Sequence, residues 1–401
     1  MDWKDTPEQA AFRREVRQLI ETRLPERYRL AAARGGLEER PWETDRKSPD
    51  PAVRKAAMDW HAALHERGWV APHWPKEYGG GGLSSLEQSI LNQELASAGA
   101  PAVGGSGVGM LGPTLILHGT PEQRAKYLPP ILAGEATWAQ GYSEPGAGSD
   151  LAALQTRAVR DGDDFVLNGQ KIWTSAAHTA DAIFALVRTD PNAPKHRGIS
   201  FLLIDNIHAP GISIRPLVDM NNRHYFNEVF FEDVRVPARN LVGEENRGWY
   251  VAMTLLDFER SNIGGAVGAR RTLGRLLDVI RADPELRARI HASPIRHEIA
   301  QRYIETEIMY QFSLRIISMQ HHGQLPNDEA SMAKLYNSEL SQRLAQTSMQ
   351  ALGMRANLTE GTEASGFADI YVGMVPATIR GGTSEVQRNV IATRGLGLPR
   401  G

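Results

Sequence analysis

Thr156-Arg157-Ala158-Val159-Arg160-Asp161-Gly162-Asp163-Asp164-Phe165-Val166-Leu167-Asn168-Gly169 decides the architecture. Two strand-like runs, Thr156 to Val159 and Phe165 to Leu167, flank the turn signal Asp161-Gly162-Asp163, and Asn168-Gly169 follows as a second turn signal. Similar runs recur at Ile183 to Val187, Ile199 to Ile204 and Val229 to Phe231, with Pro210-Gly211 as a further break. From residue 136 to about 240 the text predicts an antiparallel all-β module of about 100 residues.

On either side the period changes to that of helices. Thr6-Pro7-Glu8-Gln9 combines a capping box with proline at the first helical position, and Phe12, Val16, Leu19 and Ile20 follow at helical spacing. Pro25 and Gly35-Gly36 punctuate, and polar residues 38–51 predict an exposed loop. Helices are expected over 52–67, 84–98 and Glu122 to Leu132, with a glycine turn from Gly79 to Gly82. After Gly243 they are expected over 247–281, 284–290, 295–322, 327–353 and 384–394. The order is α, β, α: an α+β multidomain chain with helical residues 1–134, a β domain at 135–242 and a helical domain at 243–401.

Composition excludes several classes. The 45 basic and 47 acidic residues nearly cancel, which argues against nucleic-acid binding by bulk charge and against a polybasic membrane anchor. Cysteine is absent, so zinc fingers, iron–sulfur clusters, thiolate nucleophiles and disulfides are excluded together. No apolar run approaches the roughly 18 residues of a membrane span, and Met1-Asp2-Trp3-Lys4-Asp5 lacks the pattern of a signal peptide. The expectation is a cytoplasmic globular protein with 41% hydrophobic residues to build cores.

Gly107-Val108-Gly109-Met110-Leu111-Gly112 matches a dinucleotide fingerprint only as letters. A helix precedes it and Pro113 follows, so a closely packed or flexible segment is expected. His61 and His65 share a helix face, but no glutamate lies between them and no third ligand is evident, so no metal is expected. His321-His322, near a helix end, is read in the same way. Glu144 to Asp150, with three small residues before Ser149, predicts a tight turn with accessible N–H groups. Gly381-Gly382-Thr383-Ser384-Glu385 predicts another, opening a helix. Ala252, Leu256, Glu259, Ile263 and Ala266 fall on one helical face, four of them apolar. A carboxylate on such a stripe is either driven toward a general base's pKa or paired with Arg260 or a neighbouring chain. Gly264, Gly265 and Gly268 thin the helix beyond it.

Together these segments resemble the acyl-CoA dehydrogenase family. The text that carries the resemblance is Tyr142 to Asp150, Asn168-Gly169-Gln170-Lys171-Ile172-Trp173-Thr174-Ser175, Phe231 to Pro237, Asn240 to Gly243, Gln350-Ala351-Leu352-Gly353 and Gly382 to Arg388. The resemblance implies a middle β-barrel or sandwich, a C-terminal four-helix bundle and an FAD enzyme forming a trans-2,3 double bond in an acyl-CoA, as in fatty-acid β-oxidation. It sets the flavin ring against Gln140, Tyr142 and Ser143 and against Trp173, Thr174 and Ser175. It gives Gln350, Leu352 and Gly353 to the dinucleotide part, from a neighbouring subunit, with Thr383 and Glu385 completing the site. Ser149, Asp257 and Arg260 would meet the CoA ester, and the Gly381–Gly382 backbone the thioester oxygen. Electron-transfer flavoprotein is the implied acceptor, and a homodimer or homotetramer the implied assembly.

Two departures matter. Many relatives read Glu-Gly-Thr in the late motif, where this chain has Gly381-Gly382-Thr383, so Glu259 falls to the role of base, as in isovaleryl-type and long-chain-type members. Between Arg270 and Gln301 an Arg-x-x-Phe-Gly segment is replaced by Asp283-Pro284-Glu285-Leu286-Arg287-Ala288-Arg289-Ile290, which puts the cross-subunit flavin contact in doubt. A heterotetramer, a non-catalytic or co-catalytic subunit, and a flavin monooxygenase on the same fold are the alternatives.

Overall fold

A computed structural model of the chain describes residues 4–33, 41–255, 263–358 and 361–399. These residues divide into two compact units, one of 39–82 and 102–259, the other of 1–38, 83–101 and 260–401.

Thr6 caps α1 (Pro7–Arg23) through the expected capping box, and α2 (Glu26–Ala33) follows. Residues 41–45 correct the loop expectation. They form α3 (Pro41–Asp45), which buries Trp42, Glu43 and Asp45, because the Trp42 indole donates to Ala57 O of α4 (Pro51–His65). Ser84 caps α5 (Ser85–Ala98), again with a capping box. The glycine segment is a π-helical turn, Gly107–Leu111, running into α6 (Gly112–His118). A Cβ on Gly112 would collide with the Trp74 ring, so close packing is the reason for that glycine. Thr120 caps α7 (Pro121–Leu132).

The sheet comprises β1 (Trp138–Gly141), β2 (Arg157–Asp161), β3 (Asp164–Lys171), β4 (Ala182–Arg188), β5 (Ile199–Ile204), β6 (Ile212–Val218), β7 (His224–Pro237) and β8 (Leu241–Val242). Its order is β6-β7-β3-β2-β4-β5-β8, with β1 on β4. Pairing is mostly antiparallel, but β1 runs parallel to β4, and β2 meets β4 in parallel at Arg157 and Arg188. Strands β4 and β5 are buried along their whole length, whereas β6 alternates in exposure and closes an edge. Phe165, Leu167, Ile183, Leu202, Val229, Phe231, Val234 and Val236 form the core.

Asn168-Gly169 is not a turn. It lies inside β3, where two residues of β7, Glu232 and Asp233, stand opposite Asn168. Asp233 takes a left-handed φ of 52°, its N–H donates to Asn168 Oδ1, and Asn168 Nδ2 donates to Asp233 Oδ1. This bulge resets the alternation, so Val229 and Phe231 face the same core as Val234 and Val236.

Helix α8 (Gly248–Leu255) ends the β-containing unit. The other unit is built on α9 (Ile263–Ala282), α10 (Pro284–His291), α11 (Ile295–His321), α12 (Asp328–Leu352), α13 (Phe367–Met374) and α14 (Ser384–Val390). Helices α9, α11 and α12 pack mutually and α14 packs on α12, which is the expected bundle. Its core holds Leu273, Leu276, Leu344 and Phe367 in one cluster, and Ala266, Met309, Ile316 and Leu340 in another. No described helix is long and apolar enough to cross a membrane.

Candidate active site

In the β-containing unit, the segments flagged by sequence converge around one buried ion pair. Lys171 ends β3 with no solvent exposure, and its Nζ donates to Glu144 Oε1 at 2.7 Å and to Tyr142 O at 3.1 Å. Glu144 also accepts from Gln155 N at 2.5 Å and Thr156 N at 2.9 Å. Burial works against both charges: it pushes Lys171 down to about 8 despite Glu144. For Glu144 burial is outweighed by Lys171 and the N–H donors, which hold the carboxylate below its usual range. Sequence reasoning missed this pair. A lone lysine closing an apolar strand beside Ile172 was the available signal.

The pair fixes two loops. Ile172 N donates to Ser143 O at 2.9 Å, and Glu144 and Ala147 exchange backbone hydrogen bonds, closing the expected tight turn. Gly146, Gly148 and Ser149 stand exposed on that turn, and Asp150 pairs with Lys195. Tyr142 lies edge-on to Phe184 and Phe201. Burial pushes its phenol up, opposed by the Gln140 side chain.

Past Lys171 the backbone turns sharply. Trp173 and Ala176 both take left-handed conformations, φ 59° and 54°, which cost non-glycine residues about 1–3 kcal/mol each. The Trp173 indole is 60% exposed, edge-on to Phe226. Thr174 is buried and, among the described residues, its hydroxyl has no hydrogen-bond partner. Ser175 is half-buried. An exposed aromatic face beside an unpartnered hydroxyl fits a flat ring with polar edges, such as a flavin. Next to it, His178 and His224 stack at 4.0 Å, and burial followed by the His224 ring lowers the His178 pKa.

In the helical unit, Thr383 caps α14 by accepting from Val386 N, and Ser384 is buried with its hydroxyl unpartnered among the described residues. Gly381 and Gly382 take φ 64° and 90°, and Lys334 of α12 donates to Gly382 O, locking the turn. Glu385 is exposed. Its carboxylate lies below its usual range because its own backbone N–H and the Thr383 hydroxyl bond it. Gln350 is exposed at the end of α12, but the Leu352 side chain is in the core, leaving only its backbone for a ligand. Gly353 turns away at φ 61°, under Arg289 of α10, whose Nη2 donates to Ala351 O at 2.6 Å, and Arg355 pairs with Asp283. The altered segment therefore grips its own chain.

Asp257, Glu259 and Arg260, with Leu256 of the apolar stripe, lie outside the described residues. Of that stripe, Ala252, Ile263 and Ala266 are buried. His61 stacks between Trp42 and His65, and burial lowers its pKa, as befits a core histidine. Among the described residues no group of three or more side chains could hold a metal.

Domain profiles for acyl-CoA dehydrogenases match the chain in order: the N-terminal domain over residues 6–135, the middle domain over 139–234 and the C-terminal domain over 246–396. The chain is 38% identical to the acyl-CoA dehydrogenase IpdE1 of Mycobacterium tuberculosis, over 85% of this chain and 88% of that one. Among solved structures, the Tcur3481-Tcur3483 steroid ACAD matches with a TM-score of 0.84 and 35% identity over 100% of both chains. The ChsE4-ChsE5 complex from Mycobacterium tuberculosis matches with 0.82 and 34%, also over 100% of both.

Proposed function

Because this chain belongs to the acyl-CoA dehydrogenase family of FAD-binding oxidoreductases, we propose that it forms a trans-2,3 double bond in an acyl-CoA thioester with Glu259 as the base. Bound FAD supplies the hydride acceptor. Trp173, Thr174 and Ser175, with Gln140, Tyr142 and Ser143, hold the flavin ring. Thr383, Glu385, Gln350 and the Leu352–Gly353 backbone serve its dinucleotide part. Ser149, Asp257 and Arg260 orient the CoA ester. The Glu259 carboxylate takes the α-proton while the backbone at Gly381 and Gly382 donates to the thioester oxygen, stabilising the developing enolate.

The observation that carries this assignment is Gly381. It stands exposed at φ 64°, without a side chain, where many relatives carry the base. An α-proton needs a positioned carboxylate, and Asp257-Phe258-Glu259-Arg260 offers one at the family's alternative position. Anaerobic mixing with straight, branched, aromatic and steroidal acyl-CoAs, followed by flavin bleaching, tests the activity. A flavin that no thioester bleaches sinks it.

For the acyl group we favour a bulky, steroid-derived chain, the class named for the Tcur3481-Tcur3483 relative. Electron-transfer flavoprotein is the acceptor we assign. A second reading, assembly with a related but different subunit, is favoured by Arg289, which holds the Ala351 carbonyl within the same chain. Co-expression with homologous subunits and light scattering distinguishes homomer from heteromer.

A further inference from the structure

Trp173 and Ala176 enclose a two-residue stretch between left-handed backbone positions, and such a conformation persists only where neighbours over-determine it. The neighbour is Asn227 on β7, wholly buried. Its backbone carbonyl accepts from Thr174 N at 3.0 Å, and its side-chain Nδ2 donates to Thr174 O at 2.9 Å. One residue thus captures both main-chain polar groups of Thr174. Ala176 N is held in turn by Tyr225 O at 2.9 Å.

The Asn227 amide is itself oriented. Its Oδ1 faces His224 Nε2 at 2.8 Å and its Nδ2 faces His178 Nδ1 at 3.2 Å. Since Nδ2 must donate to Thr174 O, His178 Nδ1 is an acceptor and His224 Nε2 a donor. The two stacked rings bracket the amide so that it cannot flip without losing partners on both sides.

We propose that Asn227, bracketed by His178 and His224, is a positioning residue that holds the Trp173–Thr174 segment in its flavin-ready conformation. The inference rests on the flavin reading of this face. Without the amide donor, the left-handed backbone at Trp173 and Ala176 relaxes, and the exposed indole and the buried, unpartnered Thr174 hydroxyl lose their fixed relation to one another.

The test is FAD binding to apo-protein, read by quenching of flavin fluorescence below the melting temperature. Asn227→Asp keeps size and the His224 contact but sets an acceptor against Thr174 O, and the FAD dissociation constant should rise about tenfold or more. Ala176→Gly added to that variant should recover part of the affinity, because glycine takes left-handed backbone freely. Wild-type affinity in Asn227→Asp overturns the proposal, as does weakened binding that Ala176→Gly leaves unchanged, which is general destabilisation. If Asn227→Asp does not fold, His178→Leu, at a half-buried position, removes the acceptor that orients the amide, and unchanged affinity there overturns the proposal. Trp173→Ala separates the two readings: if it leaves FAD binding intact, the flavin reading of this face fails.

Discussion

Lys171 Nζ and Glu144 Oε1 lie 2.7 Å apart, the lysine wholly buried and the carboxylate nearly so. Removing one partner of such a pair strands the other charge without water. Lys171→Met should therefore lower stability by about 3–5 kcal/mol, and adding Glu144→Gln should recover a large part. Urea unfolding of the three variants reads this; a loss in the double variant equal to the sum of the two single losses would show that the pair contributes no coupling.

The same lysine predicts a pH response. Its folded pKa is pushed down to about 8 from a lysine's usual 10.5, so between these values the unfolded chain binds more protons. Stability from this group rises with pH across that window and is flat below it. Unfolding midpoints of wild type minus Lys171→Met, measured from pH 7 to pH 10.5, should climb above about pH 8. A flat difference contradicts the assignment.

Glu259→Gln keeps size but cannot accept a proton. Flavin reduction by acyl-CoA should slow on the order of 10³-fold while CoA-ester binding survives, because positioned proton transfer supplies about that factor. Stopped-flow reduction per bound flavin decides it. Near-wild-type rates remove Glu259 from the mechanism.

At Gly381 a new side chain meets backbone strain rather than neighbours, since a Cβ there would touch nothing within 4 Å at φ 64°. Gly381→Ala and Gly381→Glu should accordingly cost similar stability, about 1–2 kcal/mol. A much larger loss for glutamate, seen by thermal melting, would reveal crowding that the chain alone does not have.

Helix α11 leaves Tyr303, Ile304 and Ile308 more than half exposed. We expect this stripe to be covered in an oligomer, and Ile308→Glu should shift the light-scattering mass toward a smaller species. A wild-type monomer that retains FAD contradicts the expectation.

Much of this was legible in sequence because it is local. The capping signals Thr6, Ser84 and Thr120 open their helices, and a run such as Ile199 to Ile204 specifies a buried strand unaided. Strands β1 and β6 escaped because one is only four residues ending in Gly141 and the other is an edge strand containing Pro216. Asn168-Gly169 misled because the same pair serves a hairpin or a bulge, and the choice depends on Asp233, far along the chain. Glu144 and Lys171, and Asn227 with Thr174 and His178, were invisible for that reason: nothing in the letters around either residue names a partner so far along the chain.

The extra residue at Asp233 has a consequence for how this strand can change. It divides β7 into two reading frames, with Val234 and Val236 in one and Asn227, Val229 and Phe231 in the other. Substitution within either frame is a local event. Deleting Glu232 or Asp233 would leave one residue opposite Asn168, a regular register in which Phe231 and Val234 still face the same core, whereas deleting a residue within either frame turns part of the strand over. A one-residue deletion between Phe231 and Val234 should therefore be tolerated where the same deletion between Val229 and Phe231, which turns a core side chain outward, is not.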